Sequence, residues 1–495
     1  MHRWFRRVAI AAALFAAAVL IALLAIGCGC GGNTILTAAR FSNLRSDHTA
    51  LRAFLRSMPK GADLHVHLSG AVYAEDLIKW ATNKDLCIRL ADMTIVLPPC
   101  DADKAPPVAQ ALTDQSLYGD IVNAFSMRFF VPSAAVPSGH DQFFATFAKF
   151  GEATWRIPAE MTADRLKHYA TDAVQYTELM VSFFSSQQRA RLIDAMKGET
   201  DPAARLAALK SNGLDAIIAD VRKQIAELIE KVDAALACDA ARTKSGCNVS
   251  YRYIAQVTRN NKAEDVFVQT ALAAALVRAE PRVVGLNFVG PEDYRIARED
   301  YSQHMAMIGF LAQDVPVALH AGELWLGLVP PGDLAYHIRE AVVVAGARRI
   351  GHGVALAFER RSDELLAAMR TKPVVVEINL TSNDLALGVR GKDHPLPAYR
   401  AAGVPLVLST DDAGVARIDL TNEYFRAARD YRLGYRDLNE IARNSLTYSF
   451  LADKDKRDAL ARFDASVAEF ERAVADERSV FGNMGTLIGS LFAGR

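Results

Sequence analysis

Four short stretches of the sequence carry histidine and carboxylate side chains in an arrangement that suits a metal ion. They are Leu64-His65-Val66-His67, His320-Ala321-Gly322-Glu323, Gly351-His352-Gly353 and Thr410-Asp411-Asp412. Side chains two positions apart on a strand point to the same face, so the imidazoles of His65 and His67 can converge on one ion. Zinc accepts imidazole nitrogens together with a carboxylate and can keep a position open for water. The stretches therefore predict a single Zn²⁺ site made by His65, His67, His320 and Asp411.

The other polar side chains of these stretches suit acid–base chemistry beside such an ion. Zinc lowers the pKa of bound water to about 7, which makes hydroxide available at neutral pH. Glu323 follows His320 closely and is placed to deliver a proton to a substrate. His352 could orient or assist the water, and Asp412 could hydrogen-bond a substrate nitrogen. Taken singly each residue is ambiguous, because a lone His or Asp at a strand end often forms only structural hydrogen bonds.

Eight apolar runs predict the strands that position these residues. The runs are 62–68, 173–181, 250–257, 283–289, 315–320, 349–352, 373–378 and 405–409. Most are followed by a helical pattern, and several are continuous Val, Ile and Leu stretches, which is typical of strands buried on both faces. This alternation predicts an α/β fold of the TIM (β/α)8 type. All four chemical stretches then fall at the carboxyl ends of strands, which a barrel brings to one face.

Three further segments extend the predicted barrel. A helical pattern within residues 28–57 predicts a linker and an N-terminal helical arm. Segment 86–139, rich in Pro and Asp, is predicted to be an insertion over the barrel mouth after the first strand. Segment 206–237 predicts one helix that lengthens the connection between the second and third strands. We interpret residues 58–495 as one domain, in which His394 is expected to be a loop histidine.

The first 27 residues have the pattern of a secretory signal. Arg3, Arg6 and Arg7 precede an uncharged apolar run over 8–26. Cys28 follows Ala25-Ile26-Gly27, which resembles a bacterial lipobox and predicts lipidation of Cys28. The alternative is an uncleaved anchor helix, since the run is near the spanning length of about 20 residues. Either interpretation places the body outside the cytoplasm, periplasmic or on the outer surface, and lipidation of Cys28 would attach it to a bacterial membrane.

Four other cysteines form two local pairs in segments predicted to be loops. An exported chain would oxidise them, and the economical pairing joins Cys87 to Cys100 and Cys238 to Cys247. Free buried thiols are the alternative.

The composition excludes several classes of protein. The chain has 495 residues, of which 51% are hydrophobic and 23% charged, and its formal net charge is zero. This balance is typical of a globular protein and excludes disorder as the main state. It gives no support to nucleic-acid binding, because there is no basic excess. Only one apolar stretch could span a bilayer, which excludes a polytopic membrane protein.

The order of the motifs resembles the adenosine deaminase family. The resemblance rests on Met58-Pro59-Lys60-Gly61-Ala62-Asp63-Leu64-His65-Val66-His67-Leu68-Ser69-Gly70 with the three later stretches, and it covers about 58–412. The Met-Pro-Lys-Gly opening and the export signal are more similar to the secreted, growth-factor-related branch. The resemblance implies a zinc-containing (β/α)8 barrel that hydrolyses the 6-amino group of adenosine or 2′-deoxyadenosine to inosine or 2′-deoxyinosine and ammonia. It also makes a homodimer possible.

The resemblance assigns roles to individual positions. It implies the same four zinc ligands and makes Glu323 the acid that protonates purine N1. It implies that His352 assists the attacking hydroxide, that Asp412 meets purine N7, and that the backbone of Gly290 meets N3.

Two departures from the family pattern affect the expected substrate. Ser69 stands where cytosolic members usually carry an Asp that contacts ribose, and Ala413 stands where Pro is usual. The chemistry is therefore better determined than the substrate. Adenine or a modified adenosine could replace adenosine, and another metal-dependent amidohydrolase that cleaves a cyclic amide or ester is a second enzymatic alternative. A nucleoside-binding surface lipoprotein without turnover is the non-enzymatic alternative.

Overall fold

The computed structural model describes residues 29–492, with side chains described from residue 32 to residue 476. The predicted signal segment and the predicted lipidation of Cys28 lie outside the described residues.

Eight parallel strands form the centre of the fold. Four make one sheet: β1 (Gly61–His67), β4 (Val174–Val181), β5 (Ser250–Thr258) and β6 (Val283–Val289). Four make the other: β7 (Ala318–Ala321), β8 (Arg349–His352), β9 (Val375–Ile378) and β10 (Leu406–Leu408). Parallel bridges from Val66 to Asp411 and from Leu286 to Val317 join the two sheets at both edges. The prediction of eight strands in a (β/α)8 arrangement is confirmed, with only the strand ends shifted.

The continuous apolar runs have the expected physical cause. Every residue of β1, β7, β8 and β9 is buried, because side chains on one face fill the barrel and those on the other meet the surrounding helices. The helices are Gly29–Leu44, His48–Ser57, Ala74–Thr82, Gln115–Ala124, Gly139–Thr154, Pro158–Thr171, Ser186–Ala195, Pro202–Ser211, Leu214–Leu236, Ala263–Ala279, Arg295–Glu299, Tyr301–Leu311, His337–Val343, Ser362–Thr371, Leu380–Leu387, Leu396–Ala401, Ala413–Ala416, Leu420–Asp430, Tyr435–Thr447 and Asp453–Phe492. Short 3-10 turns cover Val108–Leu112, Pro331–Ala335, Val354–Phe358 and Gly391–Asp393.

The insertion after β1 contains a small hairpin and then runs across the carboxyl end of the barrel. Its strands are β2 (Cys87–Arg89) and β3 (Thr94–Val96), which pair antiparallel. Beyond them the backbone N–H of Met127 donates to the carbonyl of Val415 at 2.8 Å, just past β10. The insertion therefore reaches the barrel mouth, as predicted. The expectation that Cys87 lies in a loop was wrong, because this residue begins β2.

The second insertion is built from two helices, not from the single helix predicted over 206–237. Helix Pro202–Ser211 ends at Asn212, and helix Leu214–Leu236 begins after Gly213. Gly213 has φ +103°, a backbone conformation that an L side chain rarely adopts, so the glycine allows the chain to turn between the helices.

The N-terminal arm packs on its own chain. Its helices are Gly29–Leu44 and His48–Ser57, and Asp47 caps the second by accepting from the Ala50 N–H at 2.9 Å. Phe54 meets Phe470 of the C-terminal helix edge to face, with ring centroids 5.1 Å apart. Across residues 29–492, no helix combines the length and apolar character needed to cross a bilayer.

Both predicted disulfides are confirmed. Cys87 is bonded to Cys100, and Cys238 is bonded to Cys247. The first lies in the insertion after β1, the second follows helix Leu214–Leu236, and they close loops with sequence separations of 13 and 9 residues.

Candidate active site

The carboxyl ends of β1, β7 and β10 bring three imidazoles and a carboxylate together. The Nε2 atom of His320 lies 3.0 Å from Nε2 of His65 and 3.1 Å from Nε2 of His67. The Oδ1 atom of Asp411 lies 3.5 Å from Nε2 of His65 and 3.4 Å from Nε2 of His67. All four side chains are buried. The four residues predicted as metal ligands therefore converge on one point.

Each of the three imidazoles is oriented by an acceptor on its other nitrogen. An Nδ1–H that donates to an oxygen leaves the lone pair on Nε2, which is the arrangement seen in metal-binding histidines. The pairs are His65 Nδ1 with Glu377 Oε2 at 2.7 Å, His67 Nδ1 with Gln256 Oε1 at 2.7 Å, and His320 Nδ1 with Asn287 Oδ1 at 2.9 Å. Three lone pairs thus face one another at the point where the ligand atoms meet.

This donor set fits a divalent metal. Lone pairs that face one another at about 3 Å repel unless a cation lies among them, and Asp411 Oδ1 has no hydrogen-bond partner among the described residues. Metal–ligand bonds of 2.0–2.1 Å at tetrahedral angles separate ligand atoms by about 3.3 Å. The separations of 3.0 to 3.5 Å between the donor atoms are close to that value. His352 belongs to the same buried group of potential ligands.

The backbone around these residues is tightly constrained. His352 has φ +67° and Asp411 has φ +60°, both in the left-handed region that non-glycine residues seldom occupy. Such conformations cluster at functional sites, where the surrounding structure enforces them. A Cβ on Gly351 would lie 2.4 Å from Cε1 of His65, and a Cβ on Gly70 would lie 1.8 Å from Oδ1 of Asp412. The absence of a side chain at Gly351 and Gly70 leaves room for the His65 ring and the Asp412 carboxyl group.

A buried ion-pair chain supports His65 from inside the barrel. Arg349 on β8 lies between two carboxylates, with Nε 2.6 Å from Glu377 Oε1 and an Nη atom 2.6 Å from Glu178 Oε2. The guanidinium also lies over the Phe450 ring at 3.8 Å. The chain fixes the carboxylate that orients His65. Glu178, Glu377 and Arg349 were not among the predicted site residues, although a charged residue within a buried apolar strand is a signal visible in the sequence.

Glu323 is held at the site by its backbone. Glu292 accepts from the N–H groups of Gly322 at 3.0 Å and Glu323 at 2.7 Å, and from Nδ1 of His337 at 2.6 Å. Residue Glu323 is 7% exposed. Burial, together with the nearby charge of Asp411, raises the pKa of Glu323 well above its usual range. The group is therefore suited to carry a proton at neutral pH.

Asp412 and His352 complete the polar lining. Burial, and next the charge of Asp411, raise the pKa of Asp412 well above its usual range. Its Oδ1 finds no hydrogen-bond partner within the part of the chain that the structure describes. Burial lowers the pKa of His352 to about 3, and its Nε2 lies 3.7 Å from both Glu323 Oε1 and Asp411 Oδ2. His352 is thus a neutral imidazole beside two carboxyl groups.

The two predicted substrate contacts lie on loops at the same end of the barrel. Gly290 directly follows β6 and has φ +95°, with space for a Cβ limited by Asn260 Nδ2 at 2.7 Å. Ser69 follows β1 and lines a cavity of about 690 Å³. Gln256, which orients His67, lines the same cavity, so the cavity adjoins the candidate metal centre.

The cavity is bounded by the second insertion and by the loop before helix Pro158–Thr171. Aromatic and aliphatic side chains cover much of its wall, among them Trp155, Phe183, Met161, Met180 and Leu228. Each of the three described cations in the wall has a carboxylate partner. The pairs are Lys84 with Glu160 at 3.6 Å, Arg156 with Glu152 at 2.5 Å, and Lys231 with Glu227 at 3.8 Å.

Curated relatives match part of this chain in sequence. The chain is 30% identical over 179 residues to an adenosine deaminase of Enterococcus faecalis, covering 36% of this chain and 49% of the relative. It is 38% identical over 113 residues to an aminodeoxyfutalosine deaminase of Streptomyces coelicolor, covering 23% of this chain and 28% of the relative. The chain thus matches about half the length of the first relative and less of the second.

Solved structures and a family model complete the comparison. The N6-methyl-AMP deaminase of Arabidopsis thaliana aligns with a TM-score of 0.55 at 19% identity, over 84% of this chain and 99% of that one. A Burkholderia ambifaria amidohydrolase with bound Zn aligns with a TM-score of 0.52 at 15% identity, over 86% and 95%. At such identities these structures establish the fold alone. The family model for adenosine deaminase matches this sequence over residues 152–466, which are more than half of the chain. The chain therefore belongs to the adenosine deaminase family.

Proposed function

We propose that this protein is a zinc-dependent hydrolase that removes the 6-amino group of adenosine or 2′-deoxyadenosine and releases ammonia. The observation that carries the proposal is the buried Glu323 carboxyl group at the same end of the barrel as the cluster of His65, His67, His320 and Asp411. A protein that only bound nucleosides would need neither an acid with a raised pKa nor a metal-binding donor set.

The ligand set proposed is His65, His67, His320 and Asp411, as the converging donor atoms suggest. A divalent ion held there would supply a water molecule of lowered pKa, so that hydroxide is available at neutral pH. Zinc is the proposed metal because it accepts this mixture of nitrogen and oxygen ligands.

The chain's own residues would direct the proton and the purine. Glu323 would donate its proton to ring nitrogen N1, which makes C6 more electrophilic. Asp412, with its unpartnered Oδ1 and raised pKa, would contact N7, and the Gly290 backbone would contact N3. Burial of these groups excludes bulk water, which strengthens each polar contact with the purine.

The cavity beside Ser69 favours a nucleoside over a free base or a nucleotide. A volume of about 690 Å³ adjoining Gln256 leaves room for a sugar beyond the purine. Each described lysine and arginine of the wall already faces a carboxylate, so a phosphate would have to compete with that carboxylate for the positive charge. The solved Arabidopsis structures whose names and complexes involve nucleotides are similar to this chain in fold only.

A modified adenosine is the second candidate substrate. Apolar side chains such as Trp155 and Met161 would suit an extended substituent on the sugar better than a hydroxyl. The similarity to an aminodeoxyfutalosine deaminase is consistent with this alternative.

The test is an activity screen on the metal-loaded protein. The ultraviolet absorbance change and ammonia release would be followed with adenosine, 2′-deoxyadenosine, AMP and adenine. We expect the nucleosides to exceed AMP and adenine in kcat/KM by at least about 10-fold, which corresponds to about 1.4 kcal/mol. No ammonia from any of the four would contradict the proposal, and a preference for AMP would contradict the assignment of the cavity.

We also propose that the protein is exported and anchored to a bacterial membrane through a lipid on Cys28. Two disulfides are consistent with an oxidising compartment, and the basic head with its apolar run is consistent with a signal segment. Mass spectrometry of the N-terminal peptide from the native membrane fraction tests this proposal. A peptide that begins at an acylated Cys28 is expected, and an unmodified chain in the cytosolic fraction would contradict it.

A further inference from the structure

A chain of buried hydrogen bonds runs from helix Leu396–Ala401 to the candidate active site. His394 Nε2 lies 3.0 Å from Asn383 Oδ1, and Asn383 Nδ2 lies 2.8 Å from His352 Nδ1. All three side chains are buried, with His394 at 2% and the other two at 0% exposure. His394 was expected to be an ordinary loop histidine, but the structure connects it to a residue of the site.

The backbone fixes the direction of every hydrogen bond in this chain. The N–H of Leu396 donates to Nδ1 of His394 at 3.1 Å, so Nδ1 is an acceptor. A neutral imidazole with an accepting Nδ1 carries its proton on Nε2. Nε2 of His394 must therefore donate, and its partner on Asn383 must be the carbonyl oxygen. Burial lowers the pKa of His394 to about 3, so this residue is neutral at physiological pH.

The orientation of Asn383 then determines the tautomer of His352. With Oδ1 turned toward His394, the amide Nδ2–H group donates to His352 Nδ1. In the reverse orientation the amide nitrogen would donate to Nε2 of His394. Both ring nitrogens of His394 would then be acceptors, which a neutral imidazole does not allow because one of its nitrogens carries a proton. His352 consequently carries its single proton on Nε2. That nitrogen lies 3.7 Å from both Glu323 Oε1 and Asp411 Oδ2. It also lies 3.4 Å from the side-chain amide of Asn379, whose oxygen has no other hydrogen-bond partner among the described residues and accepts the Nε2 proton when the amide is turned.

We propose that Asn383 and His394 are positioning residues that hold His352 as the Nε2–H tautomer, so that His352 meets the reacting oxygen as a hydrogen-bond donor. The catalytic part of this inference rests on the proposed deaminase function; the tautomer assignment does not. With Nδ1 occupied by Asn383 and Nε2 protonated, neither nitrogen is free to take a proton from water. His352 thus orients the attacking oxygen and does not act as a general base.

The direct test is the imidazole tautomer in the metal-loaded protein, read from ¹⁵N chemical shifts in nuclear magnetic resonance spectra. A His352→Gln variant assigns the signals. The wild type is expected to show the proton of His352 on Nε2. A proton on Nδ1, or a fully protonated ring at neutral pH, would overturn the proposal while leaving the deaminase assignment untouched.

Asn383→Asp tests the consequence with a nearly isosteric change. A carboxylate accepts from both histidines, so the proton of His352 should move to Nδ1. In an enzyme of another fold, the wrong histidine tautomer costs about 10⁴-fold in kcat. In this protein His352 orients the attacking oxygen and transfers no proton, so we expect a loss of at least about 100-fold in kcat. KM and metal content should change little, whereas the buried carboxylate should lower the melting temperature. Asn444→Asp is the matched control, because Asn444 donates only to the Leu406 carbonyl at 3.2 Å and should retain activity.

A second pair of variants separates positioning from folding. His394→Gln keeps an N–H donor for Asn383 and should retain the tautomer and activity within about 5-fold. His394→Phe removes the donor, frees the amide to rotate and should lower kcat by at least about 10-fold with the metal still bound, about 1.4 kcal/mol. Equal activity of the two His394 variants would contradict the proposal. An unchanged His352 tautomer in Asn383→Asp would also contradict it. If no substrate is turned over, the spectra alone decide the tautomer.

Discussion

Replacing Glu323 with glutamine removes the acidic proton but leaves the size and shape of the side chain nearly unchanged. The loop that carries it is held by Glu292 through the backbone N–H groups of Gly322 and Glu323, which the substitution leaves intact. The Glu323 carboxylate lies 3.7 Å from His352 Nε2, beyond hydrogen-bonding distance, so little structural stabilisation is lost. We therefore expect the folded, metal-binding protein to persist with a change in stability below about 1 kcal/mol.

The catalytic loss should be large by comparison. A positioned general acid contributes about 10²–10⁴-fold in rate, or about 3–5 kcal/mol. Glutamine retains an N–H donor for a ring nitrogen but has no proton to transfer. The loss should consequently appear mainly in kcat, with KM changed by less than about 5-fold.

The measurement combines steady-state deamination of adenosine with metal analysis of the same sample. Glu359→Gln is the matched control, because Glu359 is a buried carboxylate that accepts from the Ile338 N–H at 2.6 Å outside the ligand group. The control should stay within about 5-fold of wild type in kcat. A Glu323→Gln protein with full metal content and kcat within about 3-fold of wild type would refute the role of Glu323 as the acid.

Three other changes test separate parts of the structure. Asp411→Asn should lower bound zinc to well below one ion per chain by elemental analysis; full occupancy would show that the carboxylate is not a ligand. Replacing Cys87 and Cys100 together with alanine should destabilise the protein by about 3 kcal/mol in chemical unfolding, because the bridge closes a loop with a separation of 13 residues; an unchanged midpoint would contradict this. Burial raises the pKa of Glu423 to about 7, above the ordinary 4.5. The folded state therefore retains a proton that the unfolded state loses, and stability falls as pH rises from about 4.5 to 7. Glu423→Gln should reduce that fall by up to about 3 kcal/mol, and an identical pH profile would argue against it.

The strands of the central barrel could be predicted from the sequence because they are apolar on both faces. The run at 349–352 coincides with β8, and the run at 283–289 coincides with β6. The converging ligands lie at strand ends. The position of His320 at the end of the apolar run 315–320 therefore already indicated the site. The same reasoning failed for β2 and β3, because three-residue strands carry too little periodicity to be detected.

The supporting residues of the site could not be predicted for a different reason. Glu377, Gln256 and Asn287 are polar residues within buried strands, and their partners depend on the register between strands. His394 follows a short 3-10 turn, and its link to Asn383 depends on how that loop packs against helix Leu380–Leu387. Long-range packing of this kind leaves no local pattern in one sequence. The break at Gly213 was visible as a glycine, but a helix can also tolerate that residue.

The central claim is that one metal ion is held by the imidazoles of His65, His67 and His320 and the carboxylate of Asp411. Anomalous X-ray diffraction from crystals of the purified protein, collected on both sides of the zinc absorption edge, tests it most directly. We expect a single strong peak per chain, about 2.0–2.2 Å from the three Nε2 atoms and the Asp411 carboxylate. A map with no anomalous density among these four side chains, or with the only peak elsewhere on the chain, would contradict the account.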